Sequence, residues 1–223
     1  ILVEDELFLG ADCIDMCAGT TGISIFYNHQ LIFASNIRFG SENITSDIMQ
    51  AFQLSFNEAE RIKTLHGGLV VTNLDDNELI ELSFSDANKE YYNYDRPFIS
   101  RAELISVIRP RCEEIIEEIQ ISLDKTGFEQ LSSKRIVFTG GGSQLPGLYE
   151  LASEYFGSRI RIGRPMRVQG LPQALQGSQF SAIIGLAIEI SNLQDEVWDF
   201  EIPTNLEPGQ RLRSAVNWLK ENW

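Results

Sequence analysis

The stretch CIDMCAGTTGISIF, residues 13–26, is a run of strand-forming apolar residues broken first by a carboxylate, Asp15, and then by a block of small residues. A second stretch, RIVFTGGGSQLPGL at 135–148, repeats the plan: a short β-branched strand meets Gly140, Gly141 and Gly142, and a helix follows. Two strands that each stop at a turn stripped of bulk constrain the fold more than any other feature. The first turn admits two readings. Small residues expose backbone N–H groups to an anion, and they also make a tight β-hairpin. The triple glycine lets the backbone pass a flat or bulky ligand without Cβ interference, or it only relieves packing where strand meets helix.

Around these turns the chain alternates. Residues 9–39 read as three strands, with turns at 18–22 and 28–30. Helices follow at 44–52 and 55–66, the second opened by the capping-box pair Ser55 and Glu58 and stopped by Gly67 and Gly68. Residues 69–84 read as strand, turn at 75–77 and strand, and 85–97 carry no usable periodicity. Ser100 with Glu103 opens a long helix whose apolar positions are Leu104, Val107, Ile108, Cys112, Ile115, Ile116, Ile119 and Leu123, with a kink expected near Pro110. A strand at 135–139, a helix from Pro146 to before Gly157, a strand in RIRIGRP and an apolar helix at 180–190 complete the alternation. The class is α/β.

A length of 223 residues suits one large domain or two small ones. No run of 18 apolar residues offers a bilayer span. The opening ILVEDELFLG is acidic where a signal peptide is basic, starts without Met and reads as close to a buried strand, so residue 1 is expected to lie inside a longer natural chain. Three cysteines and two histidines with no shared spacing give no zinc or disulfide framework, and buried thiols are expected. A net charge of -14 argues against nucleic acid as a partner. The charge is unevenly spread: from Gln210 onward Arg211, Arg213 and Lys220 face Glu221 alone, so this tail carries about +2 and the remainder about -16.

Between the two turns lies EAERIK, with Glu60 and Lys63 three apart on one helical face. Alone the pair reads as a surface ion pair. In order, however, Asp15 with the small residues through Gly19, Thr20 and Thr21, then Glu60 and Lys63, then Thr139 with Gly140, Gly141 and Gly142 resemble the second half of the actin, Hsp70 and sugar-kinase superfamily. Within it the match is to the bacterial cell-division family FtsA, carried by GTTGISIFYNHQLIFASNIRFGSENITSDIMQAF, AERIKTLHG, VIRPR, VFTGGGSQLPGL, RIGRP and SAIIGLAIE. The resemblance runs over nearly the whole chain. It implies an actin-like, ribonuclease H-like lobe with the N-terminal lobe absent. Residues 1–45 and 111–195 would form the large subdomain, 46–110 an inserted small subdomain and 196–209 a linker, with 210–223 a separate helix.

The same resemblance implies ATP with Mg2+ as cofactor. The turn bearing Asp15, Gly19, Thr20 and Thr21 would hold the β- and γ-phosphates, Glu60 and Lys63 would reach the ribose, and Gly140, Gly141 and Gly142 would lie along the adenine. One departure matters: Cys17 and Ala18 stand where the family has glycines. If those positions need φ above zero, a Cβ costs about 1–2 kcal/mol. No residue reads as a general base, so the expectation is at most a weak ATPase, and an inactive one for this chain alone.

On a helical projection of 212–223, Leu212, Ala215, Val216, Leu219 and Trp223 fall within an arc of about 100 degrees. Arg213 and Lys220 flank one side of the stripe, Arg211 and Trp218 the other. Apolar stripe, basic shoulders and aromatic rim suit a helix lying on an anionic membrane surface. The resemblance further implies self-assembly into filaments, other divisome proteins as partners, and the cytoplasmic face of the inner membrane at the septum as the location. It implies capture of the C-terminal peptide of the tubulin-like FtsZ on the small subdomain, for which Arg109 and Arg111 are the candidate cations. Two rivals remain: a sugar or acetate kinase of the same superfamily, and a pilus-assembly scaffold resembling PilM.

Overall fold

The computed structural model describes residues 1–72, 75, 77–83, 98–127, 135–157, 159–166, 168 and 170–191. Residues 1–187 form one compact unit and 188–223 a second, of which only the end of the last helix is described. The expectations for the linker and for the tail helix fall outside the described residues.

The frame is a five-stranded sheet. Strands β1 (Ala11–Met16), β2 (Thr21–Tyr27) and β3 (Gln30–Ile37) form an antiparallel meander, and β6 (Ile136–Thr139) and β7 (Ile160–Ile162) extend it in parallel with β1, giving the order β3-β2-β1-β6-β7. Alternation decides the faces. Ile14, Met16, Ile23, Ile136, Phe138 and Ile160 point into one buried cluster with Ile44 and Ile48 of α2 (Ser41–Phe52), Ala59 and Ile62 of α3 (Phe56–His66), and Leu148 and Leu151 of α5 (Leu148–Phe156).

The long helix α4 (Arg101–Asp124) buries Leu104, Ile105, Ile108, Cys112, Ile115, Ile116 and Ile119. It starts at the expected capping box, in which Ser100 Oγ accepts from Glu103 N–H and Glu103 Oε2 accepts from Ser100 N–H. It runs unbroken through Pro110, which is exposed together with Ser106, so the carbonyl that lacks a donor faces solvent. The box expected at Ser55 is half made. Ser55 Oγ caps Glu58 N–H, but the Glu58 carboxylate binds Arg61 and the Ser83 N–H instead.

The opening residues, for which no element was expected, make a short helix, α1 (Glu4–Leu9), whose buried Glu6 accepts from Arg161 of β7. One expectation needs correction. No strand forms around residues 69–71, where Leu69 is buried and its N–H bonds the Pro146 carbonyl. The strand that does form nearby, β4 (Leu79–Glu81), pairs with β5 (Phe98–Ser100) beside the loop that showed no pattern. The last helix, α6 (Ser181–Ser191), buries Ser181 and Ile184 and exposes Ile183 and Leu186.

Candidate functional site

Strand register brings the two bare turns together. Asp15 of β1 pairs with Thr139 of β6 in parallel, so the turn at 17–20 and the glycines at 140–142 leave the sheet at one edge. Strand β3, antiparallel to β2, runs in the direction of β1 and delivers the N-terminus of α2 to that same edge. The carboxyl ends of parallel strands, with a helix N-terminus beside them, are where α/β sheets bind ligands.

The first turn is a β-hairpin, closed by Cys17 N–H to Thr20 O at 3.0 Å, and its residues are exposed. Both readings of the turn therefore describe one object, a hairpin whose tip is bare. Its carbonyls are held from below: Ser41 N–H donates to Cys17 O at 2.9 Å and Glu42 N–H to Ala18 O at 2.8 Å. The N–H groups of Ala18, Gly19 and Thr20 donate to no described residue. The strain considered for Cys17 and Ala18 is not incurred, since neither they nor Gly19 have positive φ. The demanding glycines stand around them. A Cβ on Gly40 would lie 2.3 Å from Ala18 O, and one on Gly140, at φ +84, would lie 2.4 Å from Asp15 Oδ1 and 2.5 Å from Met16 O.

The second turn is fastened by a buried hydroxyl network. Ser143 Oγ donates to Gly140 O at 2.7 Å, Ser178 Oγ to the same carbonyl at 3.1 Å, and Thr139 Oγ1 bonds Ser181 Oγ at 2.7 Å. Satisfied buried polar groups of this kind fix a loop in one conformation. Nothing in the spacing of these residues points to the network, because its members lie up to 42 positions apart.

Glu60 and Lys63 lie on α3 as the periodicity requires, but the ammonium turns inward. Lys63 Nζ donates to Ser41 O at 3.1 Å, Thr45 Oγ1 at 2.8 Å and Glu60 Oε2 at 2.7 Å, which uses all three of its donors. The N–H of that same Ser41–Glu42 peptide, on Glu42, donates to Ala18 O, so Lys63 is tied to the first turn through one peptide unit. The Glu60 carboxylate also accepts from Thr45 Oγ1 at 2.6 Å and keeps an exposed side. Burial pushes its pKa up, but the bonds from Lys63 and Thr45 prevail and hold it below the usual range. Sequence reasoning missed Ser41, Thr45 and Glu42. Glu42 lies over the hairpin, its Oε2 3.9 Å from where a Gly19 Cβ would be.

Arg109 and Arg111 are not brought to this edge and are engaged within the chain. Arg109 bonds Glu113 Oε1 at 2.7 Å and Leu69 O at 3.0 Å, and reaches Glu154 at 3.3 Å. Arg111 grips Asp47 with two bonds, at 2.6 and 3.0 Å, and also bonds Glu114. Each clamps α4 to a neighbouring segment. Leu212, Val216, Trp218, Leu219 and Trp223 lie outside the described residues.

The expectation of three buried thiols holds for two. Cys13 and Cys112 are buried and burial pushes both up to about 12, whereas Cys17 is exposed on the hairpin, its thiol raised by partial burial and then by Asp15. Native-state alkylation followed by intact-mass measurement should modify one cysteine, Cys17, slowly, and the others only after denaturation. Labelling of two or more in the native state would contradict the placement of β1 or α4.

Comparison with known proteins gives a consistent picture. A family model described as "Cell division protein FtsA" matches residues 13–185. Curated proteins of that description are 36% identical over 232 residues in Agrobacterium fabrum and 34% identical over 225 residues in Rhizobium meliloti, each alignment covering 100% of this chain and 50% of the relative. The chain thus spans about half the length of the curated relatives it matches. Among solved structures, MreB5 of Spiroplasma citri bound to AMPPNP superposes with a TM-score of 0.62 at 18% identity, covering 85% of this chain and 55% of that one. That likeness establishes the actin-like fold.

Proposed function

The chain belongs to the FtsA family of cell division proteins, and from that premise we propose that it supplies half of an ATP site and, through its tail, anchors a division filament to the membrane. The observation that carries the nucleotide part is the meeting of two bare turns and the N-terminus of α2 at one sheet edge. In this reading the exposed N–H groups of Ala18, Gly19 and Thr20 bind phosphate oxygens, and the Gly140 to Gly142 backbone gives the base a flat floor. Lys63 then acts as a positioning residue: it holds the α2 turn that holds the hairpin, while Glu60 remains free to meet a ribose hydroxyl. Mg2+ fits if it rides on the phosphates and their water shell. Asp15 is the penultimate residue of β1, beside the hairpin, and among the described residues no three His, Cys, Asp or Glu side chains gather to hold a metal by themselves. Bound Mg2+ would supply charge neutralisation at the phosphates.

The membrane part of the reading assigns Leu212, Val216, Trp218, Leu219 and Trp223 to the lipid interface. It places the protein as a filament on the cytoplasmic face of the inner membrane, tethering FtsZ among other division proteins. Residues 46–110 remain our proposal for the small subdomain that carries the FtsZ peptide.

For that partner Arg111 is the test, and its surroundings dictate the design. Arg111→Glu alone would set a third carboxylate against Asp47 and Glu114 and should cost roughly 2 kcal/mol of stability, so loss of binding by that variant means nothing by itself. The pair Asp47→Arg with Arg111→Glu restores an ion pair with reversed sense. It should return the melting temperature to near the wild-type value while the labelled FtsZ C-terminal peptide still fails to bind in fluorescence anisotropy. Full peptide affinity in the reversed pair would remove Arg111 from the interface.

A further inference from the structure

Two glutamines stand where the glycine turn meets open space. Gln144 ends the short 3₁₀ turn Gly142–Gln144, and Gln179 lies in the 3₁₀ turn Ser178–Phe180 that leads into α6. They are 35 positions apart in the chain, yet their side chains meet, Gln144 Nε2 donating to Gln179 Oε1. The buried serine that precedes each of them brings them together. Ser143 Oγ and Ser178 Oγ lie 3.0 Å apart and both reach Gly140 O, while Gly140 N–H donates to Ser178 O at 3.2 Å. The serines are buried and the glutamines exposed. A satisfied buried network holds one conformation, so two polar side chains project from one fixed base, and groups held in place beforehand lose less freedom when a ligand meets them.

The pair borders the floor of the turn. Gln179 Cβ, at 3.8 Å, is the nearest atom to where a Cβ on exposed Gly141 would be. Both glutamines also line a cavity of about 630 Å³, with Leu145, Leu148, Tyr149 and Ile162 among its walls. Among the described residues neither carboxamide has a hydrogen-bond partner besides the other. A carboxamide carries one acceptor oxygen and two N–H donors. With a Gln144 donor and the Gln179 acceptor engaged with each other, the pair still offers Gln144 Oε1 as acceptor and Gln179 Nε2 as donor. A 6-aminopurine answers that pattern, because its amino donor is flanked by a ring-nitrogen acceptor on either edge, the pattern by which glutamine recognises adenine. A 6-oxopurine puts an acceptor where the amino group was. To meet it Gln144 would have to turn over, setting its carbonyl against Gln179 Oε1 and losing the bond between the two amides.

On the nucleotide reading above, in which the base lies along Gly140 to Gly142, we propose that Gln144 and Gln179 are the base-reading pair and make the turn prefer a 6-aminopurine to a 6-oxopurine.

The test is an NMR titration of the full chain with Mg-ATP and, separately, with Mg-ITP, whose bases differ only in the 6-substituent and the N1 proton that goes with it. The side-chain carboxamide signals of Gln144 and Gln179, assigned with Gln144→Leu and Gln179→Leu, should move with Mg-ATP, which should bind about tenfold more tightly than Mg-ITP. The double variant should bind both nucleotides alike, near the wild-type affinity for Mg-ITP, with its amide spectrum unchanged away from the two 3₁₀ turns, since both side chains are exposed. Equal wild-type affinities with shifts at Ala18, Gly19 and Thr20 would overturn the base-reading pair and leave the phosphate reading standing. A preference for Mg-ITP, or a Mg-ATP preference that survives in the double variant, would also overturn the pair. Binding of neither nucleotide would overturn the pair and the nucleotide reading together.

Discussion

Gly140→Ala is expected to lower the melting temperature by roughly 10 °C, while Gly141→Ala leaves it within about 2 °C of wild type. The two glycines are neighbours, and substitution adds the same methyl group to each. At Gly140 the backbone sits at φ +84, a conformation that costs a Cβ-bearing residue about 1–2 kcal/mol. The new methyl would also meet Asp15 Oδ1 at 2.4 Å and Met16 O at 2.5 Å, and the latter is backbone that moves only with β1. Overpacking of that kind adds about 1–3 kcal/mol, and for a chain of this size each kcal/mol is about 2–4 °C. At Gly141 the nearest atom, Gln179 Cβ, lies at an ordinary 3.8 Å and φ is not positive. Thermal unfolding of both variants checks the prediction. Equal shifts would mean that β1 and the triple glycine are not in register as described.

The second large effect concerns the tail. The intact chain should sediment with anionic vesicles weakly at low concentration and steeply as concentration rises, and removal of residues 210–223 should abolish that sedimentation. Three cations contribute at most about 1 kcal/mol each at an anionic surface, against repulsion from an acidic body. Five partly buried apolar side chains add roughly 1 kcal/mol apiece, less the cost of nucleating a short helix. The result is comparable to a single lipid anchor, which binds only marginally. Firm attachment then requires many tails held together, so that effective concentration multiplies a weak contact. Undiminished vesicle binding by the truncated chain would remove the tail from the account.

What could be read from the sequence was whatever local chemistry decides. The meander β1 to β3 follows from alternation, and the bare turns follow from glycine. The α4 stripe from Leu104 to Ile119 follows from helical period. What could not be read depends on partners far along the chain. α1 forms around Glu6, whose partner Arg161 lies 155 positions away. Lys63 reads as half of a surface pair until Ser41 and Thr45, 22 and 18 positions earlier, fold over it. Arg111 reads as a free cation, and it is Asp47, 64 positions away, that claims it. β5 was invisible for another reason, since three residues are too few to show a period. The concern over Cys17 and Ala18 was resolved only by backbone angles: the conformational demand falls on Gly140, and the close approach on Gly40.

The central claim is that the hairpin tip and the triple glycine form one half of a phosphate and base site. It is tested most directly by titrating the chain with Mg-ATP into the millimolar range and following backbone amides by NMR, because weak binding by a half site is still mapped residue by residue. The account predicts shifts concentrated at Ala18, Gly19, Thr20, Gly141 and Gly142, with Lys63 unmoved and adenosine alone perturbing only the glycines. Shifts elsewhere on the sheet, or none at those five amides at the highest concentration, would contradict it.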